Sequence, residues 1–399
     1  KRHSRVVIYN NHFESRSVKA DKFGRWKFDE FPLVEGVNEI YLKSESKRSQ
    51  ISYKTNSIKI TSDTIGPELS VTMEPQKDKK SLKLIATVNE PVKEVKGRVK
   101  TRTFVFRKDE DKLYSTIVRL PDAYQDGGYV TEKMTTFSVY AKDKVDNNSK
   151  MFNDAFLIAF DKPKDKLVTY TNKLTVMGEV SDAIESVQIN GDDVIIDAAN
   201  VITYTMGLDF GKNMIEIKAK TKNGLDFTYY ARILCLRKFD DIARTYKGRR
   251  DIEFLATMEL VEPKEDGRFY TEEPTSRLDI TKMLVKFKNL ELPKLTSDPF
   301  LDVTQSNPDA AAILAAVEAG YMFVNPDGTF KPNDPVSKKD AFQILTNAEV
   351  FESEDVVIDE APIKRGEFAL LLKQMDSYQA RVKYLMDWKK GYKKSSDKK

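Results

Sequence analysis

The stretch that decides the fold runs from Phe300 to Asp340. It reads Phe300-Leu-Asp302-Val303, then Asn307-Pro-Asp309 before the apolar run Ala310–Val317, then Gly320-Tyr321, Asp327-Gly-Thr-Phe330-Lys-Pro-Asn333-Asp-Pro335 and Val336-Ser-Lys-Lys-Asp340. Asn307-Pro308-Asp309 supplies a cap, a helix-starting proline and an acidic first turn, and Gly320 is placed to end the helix after about three turns. Asn325-Pro-Asp327-Gly328 is a turn that presents Phe330 for burial, followed by the extended connector Lys331-Pro332-Asn333-Asp334-Pro335. Ser337-Lys-Lys-Asp340 reads as a capping box that opens a second helix.

The same residues recur 61 positions upstream. Phe239, Asp241, Asp266-Gly267, Phe269, Pro274, Arg277 and Asp279 correspond to Phe300, Asp302, Asp327-Gly328, Phe330, Pro335, Lys338 and Asp340, with no insertion or deletion. A constant offset over so many positions marks an internal repeat. A third copy shows mainly as Pro362-Ile-Lys-Arg365-Gly-Glu367, only 27 residues after Pro335, so its first helix is missing or displaced. Residues 378–392, an amphipathic segment with Val382, Leu385 and Trp388, stand ready to fill that gap.

These residues resemble the S-layer homology module, whose pattern opens F-x-D-V, continues through G-hydrophobic and D-G-T-F-x-P-N-x-P, and ends I-T-R-A-E. The resemblance implies a pseudo-threefold helical prism that binds cell-wall-linked polysaccharide, often pyruvylated, in grooves between units, on the extracytoplasmic face of a bacterial envelope. In the family the arginine of T-R-A-E contacts the anionic glycan, and an aromatic near the first helix stacks on sugar. Carried onto this chain, the basic position falls on Arg277, Lys338 and Arg365, with Gly320 at the helix end. Lys338 offers a point charge where the pattern has a fork, Glu259 stands where Gly320 stands one unit later, and no aromatic occurs at Asn307-Pro-Asp309.

Upstream of Phe239 the texture changes. Val6-Val-Ile-Tyr9, Glu39-Ile-Tyr-Leu42, Leu82-Lys-Leu-Ile-Ala-Thr-Val88 and Met214-Ile-Glu-Ile-Lys-Ala219 alternate apolar and polar residues between turn-formers, the pattern of half-buried strands. Two segments share L-x-x-G-x-N-x-I, at Leu33–Ile40 and Leu208–Ile215, where Gly and Asn are read as a hairpin start. With the strand–Asn-Gly–strand pattern around Asn190-Gly191, residues 1–62 and 166–236 resemble bacterial Ig-like sandwich modules. Residues 66–160 resemble a sandwich of different subtype closed by Val139-Tyr-Ala-Lys-Asp143-Lys-Val-Asp146-Asn147, with Asp146 where Gly is usual. The first module lacks an opening strand equivalent to Leu174–Val180, so the chain is expected to be the C-terminal portion of something longer.

The fold expected is therefore multidomain: all-β Ig-like sandwiches at 1–62, 66–160 and 166–236, then an all-α pseudo-threefold module at 239–392 with units 239–290, 299–350 and 351–392, and a basic tail at 393–399. At 399 residues, the chain is long enough for two to four domains. With 40% hydrophobic and 32% charged residues, and no apolar run near the roughly 20 residues a membrane helix needs, it reads as soluble and without a membrane span.

Charge and reactive residues exclude several functions. Residues 381–399 carry a surplus of six positive charges, which leaves the other 380 at −2 and argues against nucleic acid as a partner. The lone Cys235 excludes an internal disulfide and reads as a buried thiol; His3 and His12, the only histidines, exclude multi-His metal sites. No catalytic residue, metal or cofactor is implied. Asp327 and Asp334 lack calcium-loop spacing, Asp143, Asp146 and Asn147 are explained by a hairpin, and Asp240-Asp241 lacks a partner carboxylate for glycoside hydrolysis.

The function expected is a non-enzymatic cell-surface protein whose repeats anchor or dock its Ig-like modules. The partners expected are a secondary cell-wall polysaccharide or peptidoglycan-linked polymer, and other surface-protein subunits. A structural subunit of an S-layer or surface filament with a decayed glycan site, and the non-catalytic C-terminal part of a wall or polysaccharide hydrolase, are the alternatives.

Overall fold

In the computed structural model, residues 2–46, 48, 50–130, 136–349 and 358–394 are described. The start of the third unit, 350–357, and the last part of the basic tail, 395–399, lie outside them. The chain divides into two compact units. One comprises Lys1–Leu120, Thr135–Leu157 and Ser181–Ala183, and the other Pro121–Met134, Ile158–Val180 and Ile184–Lys399.

Among the described residues the first unit holds three antiparallel sheets. Phe13–Lys19, Arg5–Asn10, Gly36–Glu45 and Ile58–Ser62 lie side by side in that order. Residues 1–62 thus contribute one sheet; residues 26–32, which correspond to the strand Val201–Gly207 of the later module, form no ladder. Beyond it, Leu69–Pro75, Ser81–Val88, Leu113–Arg119 and Arg107–Glu110 pack face to face with Phe152–Ala155, Thr136–Lys142, Glu94–Val99 and Arg102–Val105. Alternate residues Leu82, Leu84 and Ala86 of one sheet and Phe137, Val139 and Ala141 of the other are fully buried, the period of two expected of a sandwich core. Asp146 takes the left-handed conformation at φ 76°, while the Asp143 carboxylate closes the loop by accepting from the Val145 and Asn147 amides at 2.9 and 2.8 Å.

In the second unit another sandwich sets Ile158–Lys162, Lys173–Val180 and Val201–Gly207 against a larger sheet centred on Gly211–Thr221 and Asp226–Cys235. The Phe160 and Tyr229 rings meet between the sheets at 6.0 Å.

The L-x-x-G-x-N-x-I motif is explained differently from its reading in sequence. Only the glycines, Gly36 and Gly211, have positive φ. The asparagines are buried and staple the turn. Asn213 accepts from the Asp209 amide at 3.0 Å and donates to the Asp209 and Gly211 carbonyls at 2.7 and 3.1 Å; Asn38 makes the same three bonds to Val34 and Gly36. Asn11 and Asn190 likewise each accept from the amide of a strand glutamate, Glu39 and Glu216, at 2.8 Å.

Among the described residues six α-helices follow: α1 Arg249–Thr257, α2 Arg277–Lys288, α3 Ala310–Glu318, α4 Lys338–Ala348, α5 Arg365–Lys373 and α6 Asp376–Met386. The first two repeats superimpose residue for residue in their bonding. Asp241 accepts from the Phe269 amide at 3.1 Å and the Tyr270 amide at 2.7 Å, and Asp302 from the Phe330 and Lys331 amides at 2.7 and 2.6 Å. Phe239 packs on Phe269 at 5.3 Å and Phe300 on Phe330 at 5.8 Å. Ser276 and Ser337 cap α2 and α4 by accepting from Asp279 and Asp340 amides at 3.1 and 3.0 Å. The reciprocal half of the capping box is not made by Asp279, whose carboxylate turns instead to Arg365 and Lys264.

The three repeats meet in a closed ring. The Thr275 amide donates to the Ile363 carbonyl at 2.8 Å, Ile363 to Val336 at 2.8 Å, and Val336 back to Thr275 at 3.0 Å. A second set runs outside it: Arg277 to Asp334, Lys338 to Ala361 and Arg365 to Glu273, at 2.8–3.0 Å. This cyclic pattern is the approximate threefold axis of the prism. Around it one continuous core includes Phe239, Phe269, Phe330 and Phe368, each at most 1% exposed. Along the faces, α2 packs on α3 and α5 on α1. α6 follows α5 directly, with Tyr378 buried in the prism core and Val382 packed against it. It packs on α5 and reaches the chain ends of the other helices through Arg381 to the Phe287 carbonyl at 2.7 Å and Ser377 to Glu349 at 2.6 Å.

Two positions in this frame are suboptimal. The Thr275 hydroxyl is buried on the axis beside Val336 and Ile363, without a hydrogen-bond partner among the described residues. Glu259 adopts φ 59° where Gly320 adopts φ 74°. Thr275→Val removes an unsatisfied hydroxyl at constant shape and should raise stability by about 1 kcal/mol. Denaturant melts followed by helical circular dichroism would show it; a lower midpoint contradicts the assignment. Glu259→Gly should likewise stabilise by about 1 kcal/mol, by relieving a left-handed non-glycine residue, and a neutral or negative shift in the same melts would count against it.

Candidate functional site: the clefts of the helical prism

The basic positions expected from sequence face inward, where they join one repeat to the next. Arg365, 2% exposed, lays its guanidinium over the Phe269 ring at 4.8 Å. It donates to the Phe269 carbonyl at 2.8 Å, the Glu262 carbonyl at 2.9 Å and the Asp279 carboxylate at 3.0 Å. Arg277 does the same one repeat on. It donates to the Phe330 carbonyl at 2.7 Å and to the Phe323 carbonyl, and its guanidinium lies over Phe330 at 4.6 Å and Phe323 at 4.8 Å. Burial draws the Arg277 pKa below the ordinary arginine value. Lys338, in the third equivalent place, pairs with Glu367 at 3.4 Å. Gly320 holds its left-handed turn next to Tyr321, with open space where a side chain would stand.

Each arginine therefore has a planar fork matched to a fixed set of acceptors on the following repeat. Among the described residues, the lysine's side chain makes one ion pair there, to Glu367. The side-chain geometry that the sequence leaves open is one of arginines engaged inward, Arg277 through Nε and Nη2 and Arg365 through Nε and both terminal nitrogens.

Above Arg365 is a cleft of about 320 Å³ lined by Leu260, Glu262, Lys264, Asp279, Lys282 and Lys286, among others. Its charges are mostly neutralised internally. Lys282 pairs with Glu262 at 3.1 Å, Lys286 also pairs with Glu262, and Lys264 with Asp279 at 3.3 Å. The lysines hold the Glu262 carboxyl below its ordinary pKa.

A larger cleft, about 570 Å³, lies at the start of α1 and is lined by Tyr170, Lys238, Arg244, Tyr246, Lys247, Arg249, Arg250 and Glu253. Its charge is strongly one-sided. Arg249 pairs with Glu253 at 2.9 Å and Lys238 with Asp240 at 2.6 Å, whereas Arg244 and Lys247 make no ion pair among the described residues. Positive side chains and the amides of a helix N-terminus together favour an anion. Two aromatic rings complete the lining. Tyr246 is wedged against the start of α5, where a Cβ on Gly366 would stand 2.1 Å from its hydroxyl oxygen.

The sequence reading missed this cluster. Its signal was present: Tyr246 lies 61 residues before Asn307, the position at which an aromatic is absent from the second repeat.

Residues 238–281 and 299–342 each match the S-layer homology domain. These are S-layer homology repeats. The sandwich modules lie outside both matches. No curated protein matches the chain. Among solved structures, the Ca2+-stabilized adhesin with which an Antarctic bacterium binds ice is 13% identical over 59% of this chain and 66% of its own, with a TM-score of 0.23. The chain thus spans just under two thirds of that structure. A Bacteroides ovatus protein, SGBP-B of a mixed-linkage glucan utilization locus, is 11% identical over 63% of this chain and 67% of its own, TM-score 0.15. The fibronectin(III)-like modules of Clostridium thermocellum CbhA are 16% identical over 42% of this chain and 94% of their own, TM-score 0.16. At so low an overlap these likenesses decide nothing further about the chain.

The S-layer homology prism separates two classes of cation, and a stability comparison distinguishes them. Arg365→Met strips a buried fork from three acceptors and should cost about 3 kcal/mol. Arg244→Ala and Lys247→Ala should stay within about 0.5 kcal/mol. Thermal melts of the three variants test this; equal losses would contradict the division.

Proposed function

We propose that this chain is a non-enzymatic cell-surface protein whose S-layer homology prism holds an anionic cell-wall polysaccharide and thereby anchors its Ig-like modules. S-layer homology repeats are cell-surface attachment domains, and these and Ig-like domains are typically non-catalytic. Among the described residues, no helix is long and apolar enough to cross a membrane.

The observation that carries the reading is the one-sided cleft at the α1 N-terminus, where Arg244, Lys247 and Arg250 surround two tyrosines. Exposed cations attract a carboxylated or phosphorylated chain, tyrosine rings offer apolar faces to sugar, and repetition along a polymer multiplies weak contacts. In this reading Arg277, Lys338 and Arg365, with Gly320, act on the glycan through the shape of the grooves they stitch together. Other surface-protein subunits are the further partners proposed.

The inward engagement of Arg277 and Arg365 favours a second reading, in which the prism is a structural piece of a surface assembly and sugar no longer matters. Co-sedimentation with purified wall sacculi separates the two. Wild-type chain should be retained, released by raised salt because exposed charges are screened, and not retained by sacculi stripped of their anionic polymer. Arg244→Glu with Lys247→Glu should weaken retention roughly tenfold or more, each tenfold step being about 1.4 kcal/mol. Retention indifferent to both stripping and charge reversal would leave only the structural reading.

A further inference from the structure

The C-terminal segment after α6 leads into the basic tail expected at 393–399, and at Lys393–Lys394 its backbone pairs with the sandwich while the side chains stay exposed. Residues 387–394 leave the prism and run onto the sandwich within the same compact unit. Lys393–Lys394 add a parallel strand beside Asn213 and Met214, on the edge that the strand Ile184–Ile189 leaves open, because its pairing with Gly211–Thr221 begins at Ile217.

Three polar locks hold the segment. The Lys212 ammonium donates to the carbonyls of Tyr384, Asp387 and Lys390 at 2.5, 2.6 and 2.8 Å, which uses all three of its protons. It gathers the end of α6 and the start of the segment on one charge from the sandwich, where helix carbonyls favour a cation. Arg232, held by Asp165 through Nε and Nη2, donates with Nη1 to the Trp388 carbonyl at 2.6 Å. Lys394 pairs with Glu216 at 2.6 Å. Beneath them is a small separate core of Leu234 and Leu236 from the sandwich with Phe254 and Leu385 from the prism.

Both Lys212 and Arg232 donate to main-chain carbonyls, so this attachment reads the path of the segment rather than its side chains. Otherwise the two parts are joined covalently only by the short connection from Cys235 to Phe239. We propose that residues 387–394 form a strap that locks the S-layer homology prism to the adjacent β-sandwich, so that the two behave as one rigid body. A pull applied between wall and sandwich is then shared between the covalent link and the strap, instead of swinging the prism about residues 236–238.

The test is a distance measurement by pulsed electron spin resonance in the whole chain, with nitroxides on Glu179→Cys in the sandwich and Gln343→Cys in the prism, Cys235 being buried. The intact strap should give one narrow distance distribution. A chain ended at Met386, and separately a full-length Lys212→Met, Arg232→Gln variant, should each broaden it at least twofold while keeping the helical circular dichroism. A narrow distribution in both variants would overturn the proposal. So would loss of the helical signal on truncation, because the segment would then be part of the prism's own fold.

Discussion

Three backbone hydrogen bonds at the prism axis, Thr275 to Ile363, Ile363 to Val336 and Val336 to Thr275, are the constraint on which the C-terminal half depends. Each bond closes only if the next repeat is in register. That register puts Arg277 opposite the carbonyls of Phe330 and Phe323, and Arg365 opposite those of Phe269 and Glu262. An arginine buried at 2% exposure is tolerable only when its donors are answered. The clamps therefore enforce the ring as much as the ring positions the clamps, and the clefts are what the joined repeats leave between them.

The two kinds of cation divide the work. Arg277 and Arg365 are bound up in the frame, while Arg244 and Lys247 keep their charge facing water near Tyr246. In the proposed reading, the joined repeats fix the spacing of the clefts and the exposed cations remain open to a polymer, whose capture depends on repeated weak sites more than on one deep pocket.

Much of this was legible in the sequence, where a side chain's role follows from its own neighbours. The offset of 61 forecast the helix pairs and the burial of Phe330, and it matched Asp241 to Asp302, whose shared role of binding the Phe269 and Phe330 amides only the structure showed. Alternation forecast the sandwiches, and Asp146 took the backbone conformation its chemistry allows. What stayed hidden depends on distant partners. Nothing local tells that Arg365 turns inward to residues about 100 positions away, or that Asn38 and Asn213 are staples with ordinary backbone. The attachment of the lysine-rich end was not legible because its partners, Lys212, Glu216 and Arg232, lie about 160–180 positions upstream.

Because the axial bonds form a loop with no free end, the number of repeats is not adjustable. A stacked solenoid can gain or lose a unit at its end at the expense of one interface. Here, removing a unit strands a donor and an acceptor in an apolar centre, and a fourth would have to open the loop to enter. The third unit, with Pro362 only 27 residues after Pro335, still contributes Ile363 to the centre and so keeps the loop closed.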